Sequence, residues 1–249
     1  MKCFFLSFIL MFLCSCQSAR LAEKNSIKSD YHVDIAKNFL HHNKNPEAIK
    51  ELNDAIKLNP KNAEAHHQLA LCLYQRGKID ESLASFRQSL NYDPKNTKVR
   101  NDFVTLLIEQ KKYLESYKES TIAVDDLTYP RPEESLFLKS LSAIELAKKY
   151  PQLKKVVKNT LESTLVYSPN HCGALYHLAD FYIKNKDPKK SYVLYHKSLK
   201  NCPNSADKLK SLNALIPLSK KFGLVYQWGR YKQLQSKIAR KPKIYGQDN

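Results

Sequence analysis

Apolar residues in this chain recur every three or four positions, and beyond residue 16 no segment shows the alternation of a half-buried strand. One such set is Ile35, Ala36 and Phe39, followed by Ala48, Leu52 and Ala55; the spacing predicts two amphipathic helices that share a buried seam. The pattern then repeats. Pro60 and Pro94 lie 34 residues apart, and so do Pro169 and Pro203. Aligned on the prolines, His32, Ile35, Ala36 and Phe39 correspond to His66, Leu69, Ala70 and Leu73, and to Leu175, Leu178, Ala179 and Tyr182. Ala48, Leu52 and Ala55 correspond to Ser82, Phe86 and Ser89, and to Ser191, Tyr195 and Ser198.

This period, with these residue types, resembles the tetratricopeptide repeat, W-x2-L-G-x2-Y…A-x3-F…P. Each unit is expected to be an antiparallel helix pair. Small residues at Ala36, Ala70 and Ala179 let the helices approach, while Phe39, Phe86 and Tyr195 fill the gap to the next unit. The closing proline ends the second helix and turns the chain. Pro94 to Pro169 is 75 residues, two periods and seven more. A third unit starts near Thr97, with Phe103, Val104, Leu107, Ser116 and Ala123 in place, and the excess falls around 128–134 and 148–153, a lengthened loop and an interrupted fourth unit. Residues 205–221 and 224–239 form a degenerate terminal pair, whose first helix Pro217 is expected to shorten or kink. The fold class is all-α: a right-handed tetratricopeptide α-solenoid of about five to six helix pairs over residues 31–240, with a polar tail at 241–249.

The N-terminus departs from this pattern. Lys2 precedes an apolar run from Phe4 to Leu13, too short to span a bilayer but of signal-peptide length. Leu13-Cys14-Ser15-Cys16 resembles the bacterial lipobox, which implies cleavage before Cys16 and lipid attachment there; the alternative is an ordinary secretory signal with incidental cysteines. Residues 1–15 are then the signal and 16–30 a lipidated polar tether. Gln17, where Asp commonly retains such lipoproteins in the inner membrane, favours the outer membrane, facing the periplasm. Two or three acyl chains anchor stably where one binds marginally.

Export reinterprets the net charge of +17. A cytosolic chain this basic suggests nucleic acid, but export and a Lys:Arg split of 34 to 7 argue against it, since Arg dominates bidentate phosphate and base recognition. No phosphate loop, zinc-protease motif or nucleophile elbow occurs. The repeat frame sets the pairs His41-His42 and His66-His67 at opposite helix ends, so no metal, cofactor, small-molecule substrate or enzymatic activity is expected. What remains is a surface. First helices of such repeats line a groove through set positions, here His67, Leu71 and Tyr74, then Asn101, Thr105 and Ile108, then Tyr176, Asp180 and Ile183. That mixture suits an extended peptide or partner helix, unless those side chains merely face solvent.

The stretch from Arg100, RNDFVTLLIEQKKYLES, followed by DDLTYPRPEESL, resembles the type IV pilus biogenesis lipoproteins called pilotins, the PilF/PilW/Tgl group. Their pattern N-N-Y-G-x-F-L-C, R-Y-x-E-A and Y-P-x-P falls on Asn101–Ile108, Lys112–Ser116 and Tyr129–Pro132, with Val104 in place of Gly and Ile108 in place of Cys. The resemblance implies a monomeric accessory protein that binds the outer-membrane secretin, or another pilus-assembly protein, and promotes its assembly or localisation. The competing expectation is a periplasm-facing adaptor for β-barrel assembly or peptidoglycan enzymes.

Processing at Cys16 leaves Cys72, Cys172 and Cys202 in an oxidising compartment. The repeat frame puts Cys172 just before a first helix and Cys202 just after its antiparallel partner, close enough for a disulfide, against the alternative of two free thiols. Cys72, on a distant helix, is expected to stay reduced.

Overall fold

The structure is a computed structural model that describes residues 2–239, with side chains from Arg20 onward. Among the described residues there are twelve α-helices, one 3-10 turn and no strand. In order they are α1 (Lys2–His41), α2 (Asn45–Leu58), α3 (Ala63–Gln75), α4 (Ile79–Tyr92), α5 (Thr97–Glu109), α6 (Tyr113–Val124), α7 (Pro132–Leu146), α8 (Lys154–Tyr167), α9 (Cys172–Lys184), α10 (Pro188–Asn201), α11 (Ser205–Lys221) and α12 (Val225–Ala239), with the 3-10 turn Pro151–Leu153 ahead of α8. No helix among the described residues is long and apolar enough to cross a membrane. The signal (1–15) and the lipidation site Cys16 fall where side chains are not described, and the tail (241–249) lies outside the described residues.

The chain forms two compact units that divide within α5 after Leu106. In the first, α1 packs on α2 and α3 on α4 as antiparallel pairs, and α2 on α3 joins them. Its core runs through Val33, Ala36, Ala48, Leu52, Ala55, Ala65 and Cys72, all nearly or fully buried. In the second, α7 pairs with α8, α9 with α10 and α11 with α12, joined through α6 on α7, α8 on α9 and α10 on α11. Its cores centre on Ala143, Val157, Leu161, Ala174 and Leu178, and on Tyr195, Leu212, Leu215, Leu218 and Tyr231. The fold is that of stacked tetratricopeptide-type hairpins.

Two devices recur. Polar N-caps start several helices: Asn62 accepts from Ala65 N, Asp187 from Lys190 N and Asn204 from Ala206 N, while Pro begins α7 and α10. Within hairpins, the turn residue is left-handed at Asn43, Gly77, Lys111, Lys186 and Gly223. The next N–H then reaches back five residues, as Lys44 to Phe39 O, Lys78 to Leu73 O, Lys112 to Leu107 O, Asp187 to Tyr182 O and Leu224 to Ser219 O. This is the Schellman closure, which satisfies carbonyls that the helix end leaves free. The α7–α8 hairpin lacks a left-handed residue and turns through Tyr150 and the 3-10 turn. Its two helices are each continuous, so the extra residues lengthen loops rather than interrupt the unit.

Two expectations are modified. Residues 17–30, expected as a polar tether, are helical within α1. Ser29 is fully buried, its Oγ donating to Ala55 O at 2.8 Å and accepting from Asn62 Nδ2 at 2.9 Å, while Asp30 Oδ1 also accepts from Asn62 Nδ2 at 2.9 Å. These polar residues join the hairpin by hydrogen bonds, so an apolar pattern could not reveal them. Finally, α11 continues past Pro217 to Lys221, because Pro217 lies near the helix end on an exposed face where one lost bond is tolerated.

Candidate partner-binding surface

Successive first helices in the first unit are linked by charged side chains. Lys37 Nζ on α1 lies 3.0 Å from Glu64 Oε1 on α3, and His67 Nε2 on α3 lies 2.9 Å from Asp102 Oδ2 on α5. Glu64 also approaches His67 Nδ1 at 3.6 Å and accepts from Gln68 Nε2 at 2.8 Å, and Lys98 Nζ is 3.4 Å from Asp102. Burial disfavours charge on all three central groups, yet the contacts outweigh it. His67 is raised above its ordinary value by its bonds to Asp102 and Glu64, Asp102 is lowered, and Glu64 is held at about 2. The His67 ring, held between the Glu64 and Asp102 carboxylates, therefore ties α3 to α5.

The groove positions divide accordingly. His67 is 2% exposed and Asn101 5%. Both occupy the fifth repeat position and are buried, and His67 turns toward α5 through its bond to Asp102. Leu71 is half-buried, Thr105 is exposed with Oγ1 bonded to Asn101 O at 3.0 Å, and Tyr74 is 38% exposed. These three are the accessible ones among the first unit's expected groove positions.

In the second unit Ile108, Tyr176 and Asp180 are half-buried and Ile183 is exposed. Tyr176 lies edge-on to Tyr195 and carries Lys210 Nζ 5.9 Å from its ring centroid; Asp180 pairs with Lys184 at 2.6 Å. Burial lowers the pKa of His177 beside them. The sequence pattern missed a neighbouring cleft of about 420 Å³ lined by Leu178, Tyr182, Lys189, Lys190, Val193 and Leu194. Val193, an apolar residue left exposed on α10, is its outward sign. An apolar floor with a lysine rim fits an apolar side chain next to a carboxylate.

The α9–α10 hairpin is fastened at its open end. Cys172 and Cys202 are disulfide-bonded, with Cα atoms 5.7 Å apart, and Asn201 Nδ2 donates to Asn170 Oδ1 at 2.9 Å beside them. Gly173 follows because Phe137 of α7 presses on it: a Cβ there would meet the ring tip at 2.3 Å. Cys72 is free and buried, which pushes its thiol up to about 11.

The tetratricopeptide-repeat family matches residues 33–97 and again 173–205. The chain carries tetratricopeptide repeats. Solved structures with the same repeat fold cover most of it. Pseudomonas aeruginosa PilF superposes with a TM-score of 0.73 at 20% identity, over 86% of this chain and 93% of PilF. PilW, described as a widely conserved type IV pilus biogenesis factor, gives 0.68 at 21% identity over 86% and 95%. YrrB, a repeat protein with an unusual peptide-binding site, gives 0.63 at 16% identity over 79% and 96%. At these identities the likeness is one of fold. No curated protein matches the chain by sequence.

Proposed function

We propose that this repeat protein is a type IV pilus biogenesis lipoprotein of the pilotin kind. Acylated at Cys16 and held at the outer membrane facing the periplasm, it binds the secretin and promotes its assembly or localisation. The observation that carries the reading is the extent of the fold match: PilF and PilW each align over 86% of this chain and over more than nine-tenths of themselves. The lipobox-like Leu13–Cys16 and the Tyr129-Pro130-Arg131-Pro132 loop add to it. Partner capture is assigned to the accessible inner positions, Leu71, Tyr74 and Thr105 in the first unit and Tyr176, Asp180 and Ile183 in the second. Tetratricopeptide repeats act as binding scaffolds through such faces, not through catalysis.

Deletion of the gene is expected to deplete the heat-stable secretin multimer and abolish pilus display. Restoring a Tyr74→Ala, Tyr176→Ala chain should recover a folded protein without recovering the multimer. Normal multimers and pili in the deletion strain would reject the proposal in favour of a periplasmic adaptor serving β-barrel assembly or peptidoglycan enzymes. Cys16→Ala should abolish labelling by a palmitate analogue; an unlabelled wild-type protein would remove the lipoprotein part of the reading.

A further inference from the structure

The basic charge is concentrated at one end of the chain. Residues 20–187 carry 26 basic and 22 acidic side chains, whereas residues 188–239 carry 11 basic ones and a single acid, Asp207. More than half of the net +17 therefore resides on α10, α11 and α12.

Helix α12 has two unlike faces. Tyr231, Leu234 and Ile238 pack into the core with α11. The opposite face presents Val225, Tyr226, Gly229, Arg230, Lys232 and Gln233 around one open depression. At the corner before it, Lys220 and Lys221 end α11, Gly223 turns the chain with φ +69°, and Leu224, Val225 and Tyr226 follow in succession. Val225 and Tyr226 are 76% and 78% exposed. A terminal repeat ordinarily turns a polar face outward. Here consecutive apolar side chains stand in water with lysine or arginine on both sides, and no carboxylate shares the helix.

We propose that this corner and the outer face of α12 dock on the surface of an anionic phospholipid bilayer. Leu224, Val225 and Tyr226 enter the boundary between headgroups and acyl chains, where aromatic rings with a polar tip are at home. Lys220, Lys221, Arg230 and Lys232 take the lipid phosphates. Each basic side chain near such a surface raises partitioning roughly fivefold. An acidic protein segment would satisfy the lysines but leave the apolar corner in water, so the bilayer is the better fit. The inference stands apart from the pilotin proposal, since it needs neither a secretin nor acylation.

Trp228 is the single tryptophan of the chain and lies on this helix, with Lys232 Nζ 4.1 Å from its ring centroid. Its emission reports this site even though the apolar run at residues 4–13 would carry the full chain to any vesicle. Titrating the full chain with phosphatidylcholine vesicles containing about one-third phosphatidylglycerol should shift Trp228 emission to the blue at low salt. Pure phosphatidylcholine should leave it in place, and about 0.5 M salt should reverse the shift by screening. Replacing Lys220, Lys221, Arg230 and Lys232 together by Glu should abolish the blue shift on the anionic vesicles. Val225→Ser with Tyr226→Ser should abolish the shift while far-ultraviolet circular dichroism stays unchanged. Emission indifferent to anionic vesicles at low salt, or shifted equally by neutral ones, overturns the inference. So does a shift produced by soluble polyglutamate and not by vesicles, which would mark an acidic protein as the ligand.

Discussion

The twentieth position of the repeat, where the second helix of a hairpin rests its small side chain on the first, holds Ala48, Ser82, Ser116 and Ser191, all fully buried. Two of the hydroxyls are satisfied: Ser82 Oγ donates to Ala70 O at 2.7 Å, and Ser116 pairs with Ser142. Ser191 Oγ has no hydrogen-bond partner among the described residues. A hydroxyl sealed from water without a partner costs about 1–3 kcal/mol, whereas a satisfied one contributes a net of about 1 kcal/mol. Ala48 demonstrates that a methyl fits this position. Ser191→Ala is therefore expected to stabilise its hairpin by about 1 kcal/mol, and Ser82→Ala to destabilise its own by about 1 kcal/mol. Alanine's better helix propensity favours both variants by a few tenths of a kcal/mol, so it cancels in the difference of about 2 kcal/mol between them. Because repeat arrays open locally, the appropriate assay is hydrogen exchange read by peptide. Peptides from α9–α10 should exchange roughly fivefold more slowly in Ser191→Ala, and those from α3–α4 roughly fivefold faster in Ser82→Ala. Shifts of the same sign in both variants, or faster exchange in Ser191→Ala, would refute the reasoning.

Further outcomes test other parts of the structure. Replacing Cys172 and Cys202 by Ser opens a loop of 30 residues, which on the chain-entropy model lowers stability by about 3.5 kcal/mol; non-reducing peptide mapping that finds both thiols free in wild type would remove the basis for this. Gly173→Ala should cost about 1–3 kcal/mol by forcing Phe137 off its site, and Phe137→Leu should recover part of that loss in a double-mutant cycle. Lys111→Gly and Lys186→Gly should each raise the urea midpoint slightly, as a side chain in the left-handed region costs about 1–2 kcal/mol, which exceeds glycine's entropic penalty of about 0.5–1 kcal/mol. In the His67 network, the raised imidazole contributes fully below about pH 6.5 and loses its contribution as pH rises through its folded value. Glu64 contributes above about pH 4.5 and loses its part as pH falls toward about 2. Melting temperature should thus decline from pH 6 to 8 more in wild type than in His67→Gln, and identical profiles would exclude a charged His67.

The hairpins, their period and their closing prolines were legible in the chain because each depends on local chemistry. Small residues at Ala36, Ala70 and Ala179, large ones at Phe39, Phe86 and Tyr195, and Pro at 60, 94, 169 and 203 suffice to place helices and turns. The Cys172–Cys202 pairing followed from the same frame, since both residues lie at one end of a single hairpin. The basic excess of residues 188–239 was likewise there to be counted. What the pattern could not supply was any property set by the distance between repeats. His67 and Asn101 occupy groove positions in the frame, yet both are buried, His67 because α3 and α5 come within reach of a single side chain. Four of the five left-handed turns, at Asn43, Gly77, Lys111 and Lys186, fall in one register with no shared side-chain chemistry, since backbone geometry alone imposes that conformation. Ser29 and Asn62 join α1 to the array by polar contacts invisible to hydrophobic periodicity. Likewise only the packed structure separates Tyr231, which faces the core, from Val225 and Tyr226, which stand in water on the same helix. Sequence determines a repeat through its short-range contacts; which side chains remain accessible is decided by how the neighbouring helix covers them.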